Sequence, residues 1–295
     1  MSYVAAHGKS YATIEEFEFR MARFAEKDLL VAAHNLVDSG FKVAHNKYSD
    51  WTHAEYKRIL GYKETTLPTA SAVHQAGNAT PNAVDWEALG AVTPVKDQGA
   101  CGSCWSFSST GALEGKYQIA NKDLKSFSEQ ALVDCVKFSF GCNGGTQSSA
   151  FNYWKSHSAY LEAAYPYKAV NQQCGYDVSK ADNVFTTGFT SVAASDANAL
   201  KSALSKGPVS VAIEADTFYF QHYSTGILDN AVKCGTNLDH AVLVVGWGSE
   251  DGTEYWRVKN SWNTTWGDKG YIRFAIIEGD GICGVQMDAL YPNLA

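Results

Sequence analysis

The segment that most constrains this chain is Gln98-Gly-Ala-Cys101-Gly-Ser-Cys104-Trp105. It is followed by a run, Cys104 to about Ala120, that predicts a helix dense in small residues. Ser103 is placed to be the N-cap, so Cys104 would lie in the first turn. The unpaired N–H groups there favour a thiolate, the reactive form of cysteine. The pattern predicts a nucleophile at the tip of a buried helix that reaches a cleft.

Three kinds of site use a Cys-x-x-Cys pair. A zinc site needs a second pair or a His-x-x-x-His partner, and neither follows in the sequence. A thioredoxin-like redox pair belongs in a short βαβ unit, which the surrounding pattern does not resemble. The third interpretation is a catalytic Cys104 beside a structural Cys101. We therefore expect neither a metal nor any other cofactor.

Residues Cys101 to Trp105 match all five positions of Cys-Gly-[Ser/Ala]-Cys-[Trp/Tyr], the nucleophile signature of papain and the cathepsins. The chain thus resembles the papain-like cysteine proteases over about residues 11 to 292. This resemblance implies a cysteine endopeptidase, a hydrolase of the thiol protease class. It also implies an α+β fold with a helical lobe, a β-barrel-like lobe and a cleft between them. The order of patterns agrees, because a helix-rich half precedes a strand-rich half that begins near Val184.

A thiol nucleophile needs a neighbouring base, and only His157, His222 and His240 follow residue 80. His240 opens the apolar strand predicted at 241–246, which an Asp-Gly turn joins to a strand at 255–259. In such a hairpin the numbers of paired residues add up to about 500 to 503, which places His240 within three residues of Asn260. An amide there can orient the imidazole. His240 and Asn260 lie 136 and 156 residues after Cys104, near the family's range of roughly 130–150.

The resemblance implies the remaining roles. Gln98 would form the oxyanion hole with the Cys104 backbone N–H, and Trp262 would shield the contact between His240 and Asn260. The adjacent glycines of the Gly141-Cys-Asn-Gly-Gly145 segment allow close approach of a substrate strand. Asp288 would lie at the base of the pocket for the second residue upstream of the cut, accepting Arg as well as Leu or Phe. The alternative is a surface aspartate. The implied substrate-binding residues are Gly144, Gly145, Asp239, Trp262 and Asp288.

The first 80 residues resemble a cathepsin L-type propeptide. An amphipathic helix is predicted from 11 to about 37. On it, Glu16, Arg20, Phe24, Val31 and Asn35 follow the Glu-Arg-Phe-Asn-Ile-Asn pattern, with Lys27 in place of the first Asn and Val31 in place of Ile. The segment Ala44-His-Asn46-Lys-Tyr48-Ser-Asp50 resembles Gly-x-Asn-x-Phe-x-Asp, with Ala44 and Tyr48 as departures.

Residues 67–80 are small, polar and aperiodic, which predicts a linker. We therefore expect an inhibitory propeptide at 1–80 and a catalytic domain at 81–295, with the helical lobe mainly at 81–190 and the β-rich lobe mainly at 191–295. Further strands are predicted at 208–213 and 270–275, and a helix start at Ser128. Five of the eight histidines lie in the first 80 residues, where their protonation near pH 6 offers a possible activation trigger.

The chain has seven cysteines, an odd number that fits three disulfides and one free thiol. Disulfides indicate an oxidising compartment. Sequence alone leaves fifteen pairings of six cysteines. The resemblance selects Cys101–Cys142, Cys135–Cys174 and Cys234–Cys283 and leaves Cys104 free. We expect a lysosomal, vacuolar or secreted enzyme whose signal peptide has been removed, because Met1 to Lys9 lacks an apolar signal core.

The net charge of −7 and the pI near 5.6 argue against nucleic acid or an anionic membrane as a partner. No apolar run approaches the 18 residues of a membrane span. The expected partners are peptide and protein substrates, the chain's own propeptide and cystatin-type inhibitors, with the enzyme a monomer. Two alternatives remain, a peptidyl transferase or ligase and a non-catalytic peptide-binding homologue.

Asn78-Ala-Thr80 and Asn263-Thr-Thr265 are N-glycosylation sequons, and Asn263 replaces the family's usual glycine.

Overall fold

The computed structural model describes residues 2–37, 39–64, 68–77, 81–230 and 233–295. The N-terminal part carries five elements, and its long helix begins at residue 14, three residues later than predicted. The Thr13 side chain accepts from the Glu16 backbone N–H, and the Glu16 carboxylate accepts from the Ala12 N–H, which defines this start. The elements are α1 (Ser2–Ala6), α2 (Ile14–Asn35), β1 (Phe41–Val43), α3 (His53–Lys57) and β2 (Ala72–His74).

Three α-helices lie in the next hundred residues, the first two where the sequence predicted them and the third not predicted. They are α4 (Cys104–Asn121), α5 (Glu129–Cys135) and α6 (Gln147–Tyr153). Ser128 caps α5 by accepting from the Ala131 N–H, and Thr146 caps α6 in the same way. The first twelve residues of α4 are all buried, which the small side chains allow. The prediction of a buried central helix is confirmed.

The remaining elements are β3 (Val84–Asp85), β4 (Thr186–Val192), α7 (Ala197–Leu204), β5 (Val209–Ile213), α8 (Phe218–Gln221), β6 (Tyr223–Gly226), β7 (His240–Glu250), β8 (Thr253–Lys259), β9 (Tyr271–Ala275) and β10 (Ala289–Leu294). A sheet in the order β2-β4-β10-β5-β7-β8-β9 forms most of the second half, with β3 paired to β7. A separate pair, β1 with β6, joins the N-terminal part to this half. Helices α7 and α8 lie within the segment expected to be mainly strands.

Two apolar clusters form the core. One surrounds α4 and includes Trp105, Leu113 and Phe151, while the other lies on the sheet and includes Trp256, Trp262 and Phe274. The side chains of β7 divide between them, with Leu243 in the first cluster and Val244 in the second. Strand β7 therefore stands at the boundary, with His240 at its first position.

The segment 67–80 is not wholly a linker, and that prediction is wrong for 72–74. Strand β2 pairs in parallel with β4, from Ala72 opposite Thr190 to His74 opposite Val192. The His74 imidazole contacts the hydroxyls of Tyr291 (3.0 Å) and Ser202 (3.1 Å). The sequence did not predict this strand, because β2 pairs with β4 through main-chain groups and the His74 imidazole. Such contacts leave no alternation of apolar and polar residues in the sequence. Leu67 and residues 78–80 lie outside the described residues.

The disulfides join Cys101 to Cys142, Cys135 to Cys174 and Cys234 to Cys283, and Cys104 is free. All three pairings agree with those implied by the family resemblance. In the described part of the chain, none of the helices combines the length and apolar character needed to cross a membrane.

Candidate active site

Cys104 is the first residue of α4, in the N-terminal turn where the sequence placed it. Ser103 occupies the N-cap position but does not cap the helix, because its hydroxyl pairs with the Tyr167 hydroxyl at 2.5 Å. The Cys104 Sγ accepts from two backbone N–H groups, those of Gly61 at 3.2 Å and Ala241 at 3.4 Å. The first comes from the N-terminal segment, which therefore lies directly over the Cys104 sulfur.

His240 and Asn260 meet as the hairpin argument predicted. In the β7–β8 pair the numbers of opposed residues add up to 502 or 503, as in Leu243 opposite Lys259 and Trp247 opposite Trp256. The His240 Nε2 lies 2.9 Å from the Asn260 Oδ1, an acceptor that assigns the ring proton to Nε2. The Nδ1 has no hydrogen-bond partner among the described residues and so retains a free lone pair.

Trp262 covers this pair. Its ring centroid lies 4.8 Å from that of His240, and both side chains are fully buried. Tyr48 of the N-terminal segment packs edge-on against the same indole at 5.3 Å. The indole thus keeps water from the contact between His240 and Asn260, which strengthens that hydrogen bond.

Gln98 is buried with its amide orientation set by four hydrogen bonds. Its Oε1 accepts from the Ser261 hydroxyl (2.7 Å) and the Trp262 Nε1 (3.1 Å). Its Nε2 donates to the Cys101 carbonyl (2.7 Å) and to the Ile59 carbonyl of the N-terminal segment (2.8 Å). The second donor is thus aimed at a peptide carbonyl that lies in the cleft.

The glycine pair binds the N-terminal segment by its main chain. Gly145 donates to the Gly61 carbonyl at 2.9 Å and accepts from the Lys63 N–H at 3.1 Å. The Asp239 carbonyl accepts from the Tyr62 N–H at 2.9 Å. Gly144 has φ +115°, which favours glycine, and a Cβ there would lie 3.0 Å from the Lys63 Cε. Gly144, Gly145 and Asp239 thus all touch an extended peptide.

Asp288 is not a surface aspartate turned to water. Its Oδ2 accepts from the Tyr62 hydroxyl at 2.7 Å, so the tyrosine side chain enters a groove that Asp288 closes. Leu238, Met287 and Leu290 are among the apolar residues of this groove. Burial raises the pKa of Asp288 above its usual range.

Burial also sets the protonation of the central pair. It raises the pKa of the Cys104 thiol to about 12 and lowers the pKa of His240 to about 4. The same effect raises the pKa of Asp239 to about 7. With the segment seated, the neutral thiol and the neutral imidazole are therefore favoured. The positive end of the α4 dipole, which favours the Cys104 thiolate, does not outweigh the effect of burial, which favours the thiol.

Sequence reasoning missed several residues of the site. Ser261 and Tyr167 hold Gln98 and Ser103, and Ile59, Gly61 and Tyr62 occupy the cleft. Ser261 had a signal, because it stands between two residues that were already identified. The contact of Gly61 with Cys104 had no such signal in the sequence, because it depends on how two distant segments meet.

The sequon residue Asn263 is exposed and has φ +68°. This is the left-handed region, which favours glycine and tolerates asparagine better than most residues. The conformation explains how Asn can stand where the family has Gly. The second sequon, at Asn78, lies outside the described residues.

Comparison with known proteins agrees with this geometry. The profile described as "Papain family cysteine protease" matches residues 80–293, and that of the "Cathepsin propeptide inhibitor domain (I29)" matches residues 1–56. The chain belongs to the papain family of cysteine proteases. This papain-family protease is 42% identical to cathepsin L of Sarcophaga peregrina over 312 residues, covering 99% of the chain and 91% of the relative. It is 40% identical to digestive cysteine proteinase 1 of Homarus americanus over 299 residues, covering 97% and 92%.

Solved proenzymes have the same fold as this protease. Digestive procathepsin L2 from Tenebrio molitor larval midgut superposes with a TM-score of 0.92 at 35% identity, covering 99% of this chain and 98% of that one. Digestive procathepsin L 3 from the same source gives 0.90 at 36% identity, covering 99% and 97%. The protease is thus a papain-like α+β cysteine endopeptidase in its zymogen form, with its own propeptide as intramolecular inhibitor.

Proposed function

We propose that this zymogen becomes an endopeptidase that cuts peptide bonds through Cys104 and His240. The observation that carries the proposal is the 2.9 Å contact between His240 and Asn260, which leaves the Nδ1 of His240 unpartnered in the site that holds Cys104. Removal of the propeptide readmits water. Both pKa shifts then relax, and a proton can pass from the thiol to the imidazole.

The reaction has two halves. The Cys104 thiolate attacks the peptide carbonyl carbon, and the Gln98 Nε2 and Cys104 N–H receive the developing oxyanion. The C–N bond breaks as His240 gives its proton to the leaving amine, which leaves a thioester. Water then loses a proton to His240 and attacks the thioester, the C–S bond breaks and the acid departs. The Ile59 carbonyl, which now accepts from Gln98, occupies a position that a substrate carbonyl would take.

Asp288 is proposed to select the second residue upstream of the cut. The Tyr62 ring in this groove supports binding of an aromatic side chain, and its hydroxyl contact supports a polar end group facing the carboxylate. An arginine would present donors to the same oxygen atoms, while Leu or Phe would use the apolar wall. The proposed preference is therefore tolerance of Arg beside Leu and Phe.

Activation is proposed to occur in acid, with His222 rather than the carboxylates as the sensor. His222 is fully buried, its Nε2 has no partner among the described residues, and its carbonyl accepts from Ala44 of the propeptide at 2.8 Å. Burial lowers the pKa of His222 to about 3, and Lys27 and His45 add to the effect. Because the docked imidazole resists protonation, the docked state of the propeptide loses stability as pH falls below about 6.5, the unperturbed pKa of histidine.

The carboxylates respond differently. The Arg20 guanidinium holds the pKa of Glu55 at about 2, so the stability that this ion pair contributes is lost only as pH falls from about 4.5 toward 2, well below the range for histidine. Burial raises the pKa values of Asp239 and Asp288. Carboxyl groups with raised pKa values make the docked propeptide more stable, not less, as the pH falls. This supports a histidine trigger. Burial also lowers the pKa values of the propeptide histidines His7, His34 and His74, which act in the same direction as His222.

We propose maturation near residue 80, with catalysis by residues 81–295. An acidic lysosomal or vacuolar compartment, or secretion, fits acid activation and three disulfides. Cystatin-type inhibitors would enter the cleft that the propeptide leaves.

Asn263 is exposed and available for N-glycosylation, and loss of mass after glycosidase treatment tests for a glycan there.

Two alternatives are separable from hydrolysis. A peptidyl transferase or ligase would pass the acyl group from Cys104 to an added amine, and product mass distinguishes it. A non-catalytic homologue would bind peptides without turnover, and the presence of Gln98, Cys104, His240 and Asn260 together argues against it.

The test is acidification of the full chain to about pH 4.5, followed by intact mass and cleavage of a Phe-Arg fluorogenic peptide, with Cys104→Ala as control. We expect loss of the N-terminal segment together with rising activity, both absent in the control. A wild-type chain that stays silent even after external trimming would overturn the proposal.

A further inference from the structure

One hydroxyl joins the segment of Gln98 to the residue that precedes Cys104. The Tyr167 hydroxyl oxygen lies 2.8 Å from the Gln98 carbonyl oxygen and 2.5 Å from the Ser103 Oγ. A carbonyl oxygen only accepts, so the single phenolic proton of Tyr167 is donated to Gln98. The Ser103 hydroxyl therefore donates to the Tyr167 oxygen. The result is a chain of two hydrogen bonds that runs from Ser103 through Tyr167 to Gln98.

This chain ends on the two residues from which the proposed oxyanion donors project. Gln98 carries the side-chain amide, while the Ser103 carbonyl belongs to the same peptide unit as the Cys104 N–H. Because a peptide unit is planar, the orientation of Ser103 also sets the direction of that N–H. Gln98 and Ser103 are both fully buried, and hydrogen bonds shielded from water hold their geometry more strongly. The Tyr167 hydroxyl thus connects the residues on which both donors depend.

Tyr167 is itself held by the helical part of the fold. Its ring packs edge-on against Phe107 of α4, with the ring centroids 4.8 Å apart. Its N–H donates to the Glu162 carboxylate at 2.9 Å, and the Lys168 N–H donates to the Gln130 side chain of α5 at 2.8 Å. The hydroxyl is therefore fixed in place, as an oxyanion hole requires, because its donors must be in position before the charge develops.

We infer that Tyr167 is a positioning residue of the oxyanion hole, which holds the Gln98 amide and the Cys104 N–H at the separation that the transition state needs. This inference rests on the proposed hydrolysis and deepens it. Tyr167 acts through Gln98 and Ser103, and its hydroxyl is committed to those two contacts. The placement of the donors affects the charge that develops during attack far more than it affects binding of the uncharged substrate. Loss of the hydroxyl is therefore expected to lower kcat and to leave KM nearly unchanged.

The test compares Tyr167→Phe with the wild-type chain after an external protease has removed the propeptide from both. Phenylalanine keeps the ring contact with Phe107 and loses only the hydroxyl. Removal of a whole oxyanion donor costs about 10²- to 10³-fold in kcat, so its displacement is expected to cost about tenfold. KM for a Phe-Arg fluorogenic peptide is expected to stay within about twofold.

Tyr165→Phe is the matched control. Tyr165 stands two residues earlier on the same segment, and its hydroxyl donates to the Asp134 carboxylate at 2.9 Å instead of to the active site. This variant loses the same atom from the same kind of side chain. It is expected to keep the wild-type kcat.

Alkylation of Cys104 by iodoacetamide separates positioning of the donors from a general effect on the site. In this reaction the sulfur forms a bond to carbon as iodide leaves, and no oxyanion develops, so the rate reports the thiolate alone. The alkylation rate and its pH dependence are expected to be the same in Tyr167→Phe and in the wild type. The same labelling counts the reactive thiols, so kcat is expressed per competent site.

A second background tests the route through Gln98. In Gln98→Ala the amide that Tyr167 positions is absent. Adding Tyr167→Phe to that background is therefore expected to lower kcat by about threefold or less, because the two residues act as one unit and their effects do not add.

The outcomes separate the two proposals. An unchanged kcat in Tyr167→Phe, an equal loss in Tyr165→Phe, or a loss of about tenfold that persists in Gln98→Ala overturns the positioning role. A loss matched by slower alkylation also overturns it, since the effect would then lie on the thiolate or on the fold. Failure of the trimmed wild-type chain to cleave the peptide would instead contradict the proposed function itself.

Discussion

The Gly61 N–H donates to the Sγ of Cys104 at 3.2 Å, so the propeptide covers this sulfur with its backbone. A glycine is required here, because a Cβ at Gly61 would lie 1.8 Å from the Gly102 carbonyl oxygen. The latency of the zymogen thus depends on the close approach of the Gly61 and Gly102 backbones, which covers the Cys104 sulfur.

Gly61→Ala is expected to give a leaky zymogen. The added methyl group cannot fit beside Gly102, so the propeptide must lift from the cleft, at a cost of about 1–3 kcal/mol. Residual activity of the unprocessed chain at neutral pH should rise by about tenfold or more. Gly175→Ala is the control, because Gly175 does not have a positive φ and a Cβ there would lie 3.5 Å or more from its neighbours. Equal latency in both variants would contradict the close-packing argument.

Alkylation of Cys104 is expected to be slow in the zymogen. Since burial raises its pKa to about 12, the thiolate fraction at neutral pH is about one part in 10⁵. Iodoacetamide labelling, followed by intact mass between pH 5 and 9, should stay low until the propeptide is removed and then increase sharply. Rapid labelling of the intact zymogen would show that the thiol is not held neutral.

His222→Gln is expected to slow activation in acid. Glutamine can still hydrogen-bond to the Phe218 carbonyl, which the His222 Nδ1 contacts at 3.2 Å, but it cannot acquire a charge. The rate of propeptide loss at about pH 4.5 should fall by about tenfold or more. The exposed His53 gives the matched control, His53→Gln. If both variants activate at the wild-type rate, His222 is not the sensor.

Asp288→Ala is expected to remove tolerance of arginine at the second upstream position. A charge-assisted hydrogen bond contributes about 1.5–3 kcal/mol, so kcat/KM for the Arg peptide should fall about 10- to 100-fold relative to the Phe peptide. Asp123→Ala, at an exposed position between α4 and α5, removes the same charge at a residue that does not line this groove. An unchanged ratio of Arg to Phe in Asp288→Ala would refute the assignment.

Much of the site was predictable because its determinants are local or repeat along the chain. Cys104 follows a five-residue motif, and the turn at Asp251-Gly252 sets the register that brings His240 to Asn260. The disulfide pairing needed the family resemblance, since counting alone left fifteen choices. The helix of residues 14–35 began later than predicted because its cap at Thr13 determined the start.

The sequence by itself predicted Cys104 as nucleophile, His240 as base and Asn260 as the orienting amide, and it located the glycine pair and the order of a helix-rich and a strand-rich half. Only the tertiary structure decided that Tyr62 meets Asp288, that β2 joins the sheet and that His222 lies buried at the propeptide contact. Burial in the zymogen, which only the tertiary structure shows, favours the neutral forms of Cys104 and His240. The reason is physical. Motifs and caps act over a few residues, whereas burial and pKa depend on which distant segments exclude water.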